Sequence, residues 1–388
     1  MKGIQHLLLG GIFSLSLAAS ASHHDTHDHE SATHDEVAHT TEHDVVAHEG
    51  AEEEVAFDPA DMIMHHIKDA HGWHLFDIDG HAYSIPLPVI LWTDNGLVTF
   101  MSSKFHHDVE GHHVVEAGGQ RFVNIHEKIY YASEEAHHGV YAEMDHETHE
   151  VKNAKPLDFS ITKNVFSLLV VACLLLWIFL SSAAKYRKGH GVPRGIASFT
   201  EPLILFVRDD IAKDNIGEKH YARFVPYLLT LFFFIWLNNL LGLVPFFPGG
   251  ANVSGNIAFT MILAVFTLII TNVNGKKDYW MHILWMPGIP VAVRPLLAVV
   301  ELIGIFTKPF SLMIRLFANI TAGHIIVLSL ISLVFVFKTV WISPASIVMT
   351  LFISTLELLV AALQAYIFTM LTALYIGGAL EEHDHEAH

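Results

Sequence analysis

A chain of 388 residues that is 52% hydrophobic and only 16% charged, with a mean hydropathy of +0.40, lacks the composition of a soluble globular protein. Its net charge of -18 argues against nucleic acid as a partner, and its single cysteine, Cys173, excludes an internal disulfide. The averages hide a split: residues 22–155 are polar and acidic and hold 22 of the 30 histidines, whereas nearly everything after Phe159 is apolar.

The first 21 residues carry an early Lys2, an apolar run from Ile4 to Leu17 and the small-residue ending Ala19-Ser20-Ala21. They read as a secretory signal that puts the mature N-terminus outside the cytoplasm, because the run is too short for a membrane-spanning helix. Residues 22–54 are a low-complexity His/Asp/Glu tract without apolar periodicity, expected to be disordered. From 55 to 133 short β-type runs alternate with turn signals: Leu75–Ile78, Asp79-Gly80, His81–Ile85, then Val89–Thr93, Asp94-Asn95-Gly96, Leu97–Met101. A small exported β-rich module is expected there, followed by an acidic linker over 134–158. His71 and His74 have His-x-x-His spacing and are weak metal-ligand candidates; a solvated tail that binds metal loosely is the simpler reading.

The region 159–380 reads as an all-α, multi-pass membrane domain. Five apolar segments, about 162–184, 225–247, 256–273, 294–337 and 345–379, can each cross a hydrocarbon core of about 30 Å. Cys173 falls in the first and reads as a small buried hydrophobe. The stretch Lys185–Arg223, taken as a loop, holds eight Lys/Arg; the positive-inside rule puts it, and the tail 381–388, in the cytoplasm, in agreement with the signal sequence. The fourth segment would be about 65 Å long as one straight helix, so it must tilt, bend at Pro295 or Pro309, or begin along the surface. With the fifth it forms a long slanted hairpin.

Within these last two segments stand Glu301, Lys308, Ser311, Arg315, Asn319, His324, Glu357 and Gln364. An ionisable group at bilayer depth costs about 2.5 to 3.5 kcal/mol, so each needs a partner or a wet path. Snorkelling explains Lys308 and Glu301 near one membrane edge, but Arg315 has apolar helix on both sides. Lys308, Ser311, Arg315, Asn319 and Ala322 share one helical face, and His324 lies about half a turn away from it. If the hairpin folds about residue 340, positions equidistant from it are level, which sets Arg315 opposite Gln364 and His324 opposite Glu357. A His/Glu pair in a wet cavity exchanges protons near neutral pH. Asn252, Ser254 and Asn256 near the third segment's outer mouth extend that path or serve as ordinary caps.

The runs ELIGIFTKPFSLMIRLFANITAGHIIV (Glu301–Val327), LQAYIFTMLTALYI (Leu363–Ile376) and NNLLGLVP (Asn238–Pro245) closely resemble subunit a of F-type ATP synthases over roughly residues 156–380. The resemblance implies that Arg315 is the essential arginine facing a ring of c subunits, with Gln364 beside it. It further implies that Ser311 and Asn319 line a cytoplasmic half-channel, that His324 and Glu357 belong to the external one, and that b subunits and the rest of the F1F0 complex are partners in a bacterial inner membrane. The chain departs from the better-known bacterial pattern, in which a carboxylate takes the position of His324 and a histidine that of Glu357. No G-x-x-x-x-G-K-[ST] loop is present, so neither a nucleotide nor another cofactor is expected.

Two other readings fit the residues less well. A His-rich divalent-metal transporter needs several intramembrane His/Asp/Glu converging on one site, and the central charge here is an arginine that repels cations. A plain anchor for the exported module leaves Arg315 unexplained.

Overall fold

The computed structural model describes residues 67–381, apart from 79–80, 137–138, 146–149, 188–194, 245–246, 287–288, 338–340 and 342, together with 59, 63 and 64. The signal-like segment 1–21, the His-rich tract 22–54 and all of the tail beyond Glu381 lie outside the described residues.

The alternating runs form antiparallel hairpins. β1 (Gly72–Ile78) pairs with β2 (His81–Pro86), and β3 (Pro88–Thr93) with β4 (Gly96–Met101) across a turn in which Gly96 takes φ 106°, open to glycine and strained for other residues. A third sheet runs β5 (Glu110–Ala117), β6 (Gln120–Ile125), β7 (Lys128–Tyr131). Val89 and Leu91 of β3 pack with Val98, Phe100, Val115, Phe122 and Ile129 in one apolar core.

The stretch 134–158 is not a free linker, which corrects the expectation. Tyr131 N donates to Ala154 O at 3.1 Å, Met144 bridges Val151, and β8 (Leu157–Asp158) adds to the second edge of β3. Backbone groups along that edge need partners whatever the side chains are, so an acidic composition gave no sign of the pairing.

The remainder is helical: α1 (Lys163–Arg187), α2 (Ile196–Phe206), α3 (Tyr221–Leu243), α4 (Ile257–Asn274), α5 (Lys277–Leu284), α6 (Arg294–Phe337) and α7 (Ser343–Leu380). Five of these, α1, α3, α4, α6 and α7, are long and apolar enough to cross a membrane. The expected boundaries differ by a few residues only. α6 spans 44 residues, about 66 Å, with Pro309 inside it, and pairs with α7 as the expected hairpin. α3 touches α1, α7 and the segment after α2.

Two expectations fail here. The basic stretch 185–223 is largely helical: α2 continues through a π-helical stretch, Val207–Lys213, and a last turn, Asp214–Ile216. Val207, Ile211, Ala212 and Ile216 are buried in the helical core, and the charges between them masked that stripe in the sequence. Gly377 of α7 permits the contact, since a Cβ there would lie 1.9 Å from Asn215 O. Cys173 is exposed on α1, facing away from the bundle, so it is not a buried hydrophobe.

Candidate functional site

The hairpin register can be read from three contacts. Ser346 Oγ donates to Leu330 O, His324 Nδ1 hydrogen-bonds Glu357 Oε1, and the Lys308 ammonium lies 5.8 Å from the centre of the Tyr375 ring. Each pair is nearly equidistant from residue 340, so the fold-back and the His324–Glu357 pairing follow the sequence reading. The side chains are 15% and 5% exposed. A carboxylate so enclosed is tolerable because it is hydrogen-bonded. Gly323 makes the room: a Cβ there would stand 2.9 Å from Glu357 Oε1. On the opposite side, the Cβ position of Gly242 on α3 is 3.8 Å from His324 Nε2. The other ring nitrogen, Nε2, faces α3 and is free of the Glu357 contact.

Around this pair, on the side of the β-rich module, polar groups are concentrated. Asn239 Nδ2 donates to Ala361 O at 3.4 Å, and Ser254 Oγ donates to Asn239 Oδ1 at 2.5 Å, both inside the protein. Asn252 uses Oδ1 to hold Gly255 N, while its Nδ2 is buried without a partner; Asn238 Oδ1 is likewise unpartnered. Buried polar atoms in this state call for water. Asn256 caps α4, its Oδ1 accepting from Ala258 N at 2.9 Å. Asn238 and Asn239 are not among the residues that the sequence reading singles out, although two adjacent amides in an apolar helix are a signal for them.

The other polar face of α6 points outward. Ser311, Ile314, Ala318, Asn319 and Ala322 are exposed, and Arg315 is half-buried among them. Arg315 has no hydrogen bond or ion pair among the described residues. Gln364, 4% exposed, faces into the bundle from α7 at nearly the same level, and no hydrogen bond joins the two. The shared face of Lys308, Ser311, Arg315, Asn319 and Ala322 is thus real, and it is uncovered.

On the side away from the module, two adjoining cavities of about 580 and 300 Å³ share Tyr279, Ile305, Lys308, Gly378 and Glu381; the larger also takes in Asp214, Thr267, Thr271 and Tyr375, the smaller Asp278, His282 and Glu301. Glu301 and Lys308 therefore sit at a wet edge, as snorkelling requires. Asp214, Asp278, His282 and Glu381 carry no signal in the sequence, because a polar group outside the long apolar segments has no burial cost to flag it.

His71 is engaged within the protein. Its ring is 6% exposed and Nε2 is 3.1 Å from Asp158 Oδ2, with Glu127 Oε2 3.9 Å from Nδ1. Burial opposes the charged ring, yet the Asp158 and Glu127 carboxylates raise its pKa to about 9, and a protonated imidazole repels cations. His74 stands in β1, but its side chain lies outside the described residues. Among the described residues, no three His, Cys, Asp or Glu side chains gather as a metal site.

A polytopic helical membrane protein with an enclosed, hydrogen-bonded His/Glu pair, unpartnered buried polar atoms around it and an arginine on an uncovered helix face has the make-up of a proton-translocating membrane subunit. Comparison with known proteins agrees. The ATP synthase A chain family matches residues 165–377. A protein named ATP synthase subunit a from Chloroherpeton thalassium is 45% identical over 247 residues, covering 60% of this chain and 70% of the relative. Proteins of that name from Anaeromyxobacter sp. (45% over 238 residues, 59% and 57%) and Chlorobium phaeobacteroides (46% over 248 residues, 59% and 69%) are similar. The chain belongs to the ATP synthase subunit a family and is a proton-translocating membrane subunit of that complex. Residues 62–159 match a separate domain of unknown function (DUF8433). Nothing supports the divalent-metal transporter.

Proposed function

We propose that the chain provides two proton half-channels separated by Arg315, and that the uncovered face of α6 docks a ring of c subunits. What carries this reading is the contrast on α6 between a buried, paired His324–Glu357 and a half-buried arginine without a partner. An unpaired guanidinium in an apolar helix needs an anion, and a membrane-embedded carboxylate on a ring supplies it. Protons enter from the module side, pass Ser254–Asn239 and the His324–Glu357 pair, and neutralise a ring carboxylate. They leave, after rotation, past Ser311 and Asn319 through the cavities at Glu301 and Lys308. Arg315 keeps the facing carboxylate ionised and prevents a direct short circuit, with Gln364 beside it. Each charge crossing 100 mV releases about 2.3 kcal/mol for torque. The basic stretch 185–223 supports a cytoplasmic far side, an external module and a bacterial inner membrane, with b subunits holding the chain as stator.

The test is Arg315→Ala in membrane vesicles. ATP synthesis and ATP-driven proton pumping should both fall to background with the subunit still inserted. Normal coupling in that variant overturns the reading.

A further inference from the structure

The β-rich module is seated on the membrane domain rather than tethered to it. Trp73, 5% exposed, packs with Ala251 and Val253 of the loop between α3 and α4, with Phe166 and Phe247 edge-on to its ring at 5.7 and 5.3 Å. Lys163 N donates to Ala70 O at 3.0 Å, and Asp69 accepts from Thr162 Oγ1 at 2.8 Å and from Asn164 N at 3.1 Å. Under this closure the outer turns of α1 turn a polar side inward: Lys163, Asn164 and Ser167 are buried, and Asn164 Oδ1 and Ser167 Oγ have no partner. The next buried residues of α1, Val171 and Leu175, are apolar, and the buried polar residue beyond them, Ser182, is hydrogen-bonded to Thr200, so the unpartnered buried polar atoms of α1 are confined to the junction. Phe166 and Leu168, on the same turns, pack in one cluster with Ala251 and Val253, which flank the unpartnered Asn252 Nδ2. A buried amide or hydroxyl left unpaired costs about 1 to 3 kcal/mol, and water removes that cost. Lipid-facing helices have no use for such residues; a hydrated path does.

We propose that the seam between the module and α1, lined by Asp69, Lys163, Asn164 and Ser167, is a water-filled outer extension of the inlet half-channel. Protons reach Asn252, Asn239 and the His324–Glu357 pair through it. The inference rests on the two-half-channel reading. It assigns the module a function: a fixed wall that moves the channel mouth outward from the membrane surface, with Trp73 as the wedge that positions the loop.

Thiol accessibility in the intact ATP synthase tests it, using chains in which Cys173 is replaced by alanine. Right-side-out vesicles are treated with silver ions, which bind thiols where water reaches them, then inverted and assayed for ATP-driven pumping. Asn164→Cys and Ser167→Cys should each lose pumping at least about fivefold after silver. Leu176→Cys, on the exposed side of α1, should be unaffected. Silver sensitivity at Asn239→Cys with none at both seam positions overturns the seam and leaves the inlet at His324 standing. Insensitivity at all three overturns the seam and the inlet together. Should one seam variant fail to assemble, the other decides.

Discussion

Arg315 and His324 lie on one helix, about 13 Å apart along its axis, yet their surroundings are opposite. His324 is closed in by α3 and α7 and hydrogen-bonded to Glu357, whereas Arg315 stands on an uncovered face among Ser311, Ala318, Asn319 and Ala322. The difference separates two kinds of polar group in a membrane protein. One is complete within the chain and is tuned by its neighbours; the other is half of a contact and makes sense only against another subunit.

That contrast can be attacked from either side. Ala318→Trp puts bulk on the uncovered face without touching the buried pair, and coupling should fall roughly tenfold or more while the subunit still inserts. Normal ATP-driven pumping in that variant means the face docks nothing. On the enclosed side, His324→Ala and Glu357→Gln should each slow passive and driven proton flux roughly tenfold to a hundredfold; flux unchanged across about pH 6 to 8 takes the pair out of the relay. Gly323→Ala is milder. Its methyl would press on Glu357 Oε1, so a few-fold loss of flux with Arg315 and the outer face intact is expected. Wild-type flux there would show that the pair tolerates displacement.

The smallest effect on turnover is expected in the module. The folded-state pKa of His71 is raised above its ordinary 6.5 to about 9, by Asp158 and Glu127 against the influence of burial. Its contribution, about 3 kcal/mol, is therefore fully present below about pH 6.5 and fades as pH rises through about 9. Limited proteolysis of the module in the intact complex should accelerate over that range in the wild type and be fast at all pH values in His71→Ala. A wild-type rate that does not change with pH would deny the charged His71.

The membrane helices, their order and the hairpin were legible because a bilayer demands long apolar runs and makes every interior charge conspicuous. Hence Arg315, His324, Glu357 and Gln364 could be named, and the fold-back level guessed from equal distances about residue 340. Three things stayed out of reach. α2 and its π-helical continuation read as a loop, since charges interrupt the stripe of Val207, Ile211 and Ile216. β8 is held by backbone pairing that composition does not report. Seating of Trp73 on Ala251 and Val253 joins positions far apart in the chain, with nothing local to announce it.

By itself the sequence determined a membrane protein with an arginine in an apolar helix and a histidine level with a carboxylate, because the energy of burying a charge depends on residue type and on how far it stands from the membrane edge. Only the tertiary structure decided that the arginine's face is left open, that Gly323 and Gly242 leave space for the His324–Glu357 pair, and that the module closes over α1. Those are matters of which surfaces meet, and they are set by packing between segments whose local patterns carry no record of one another.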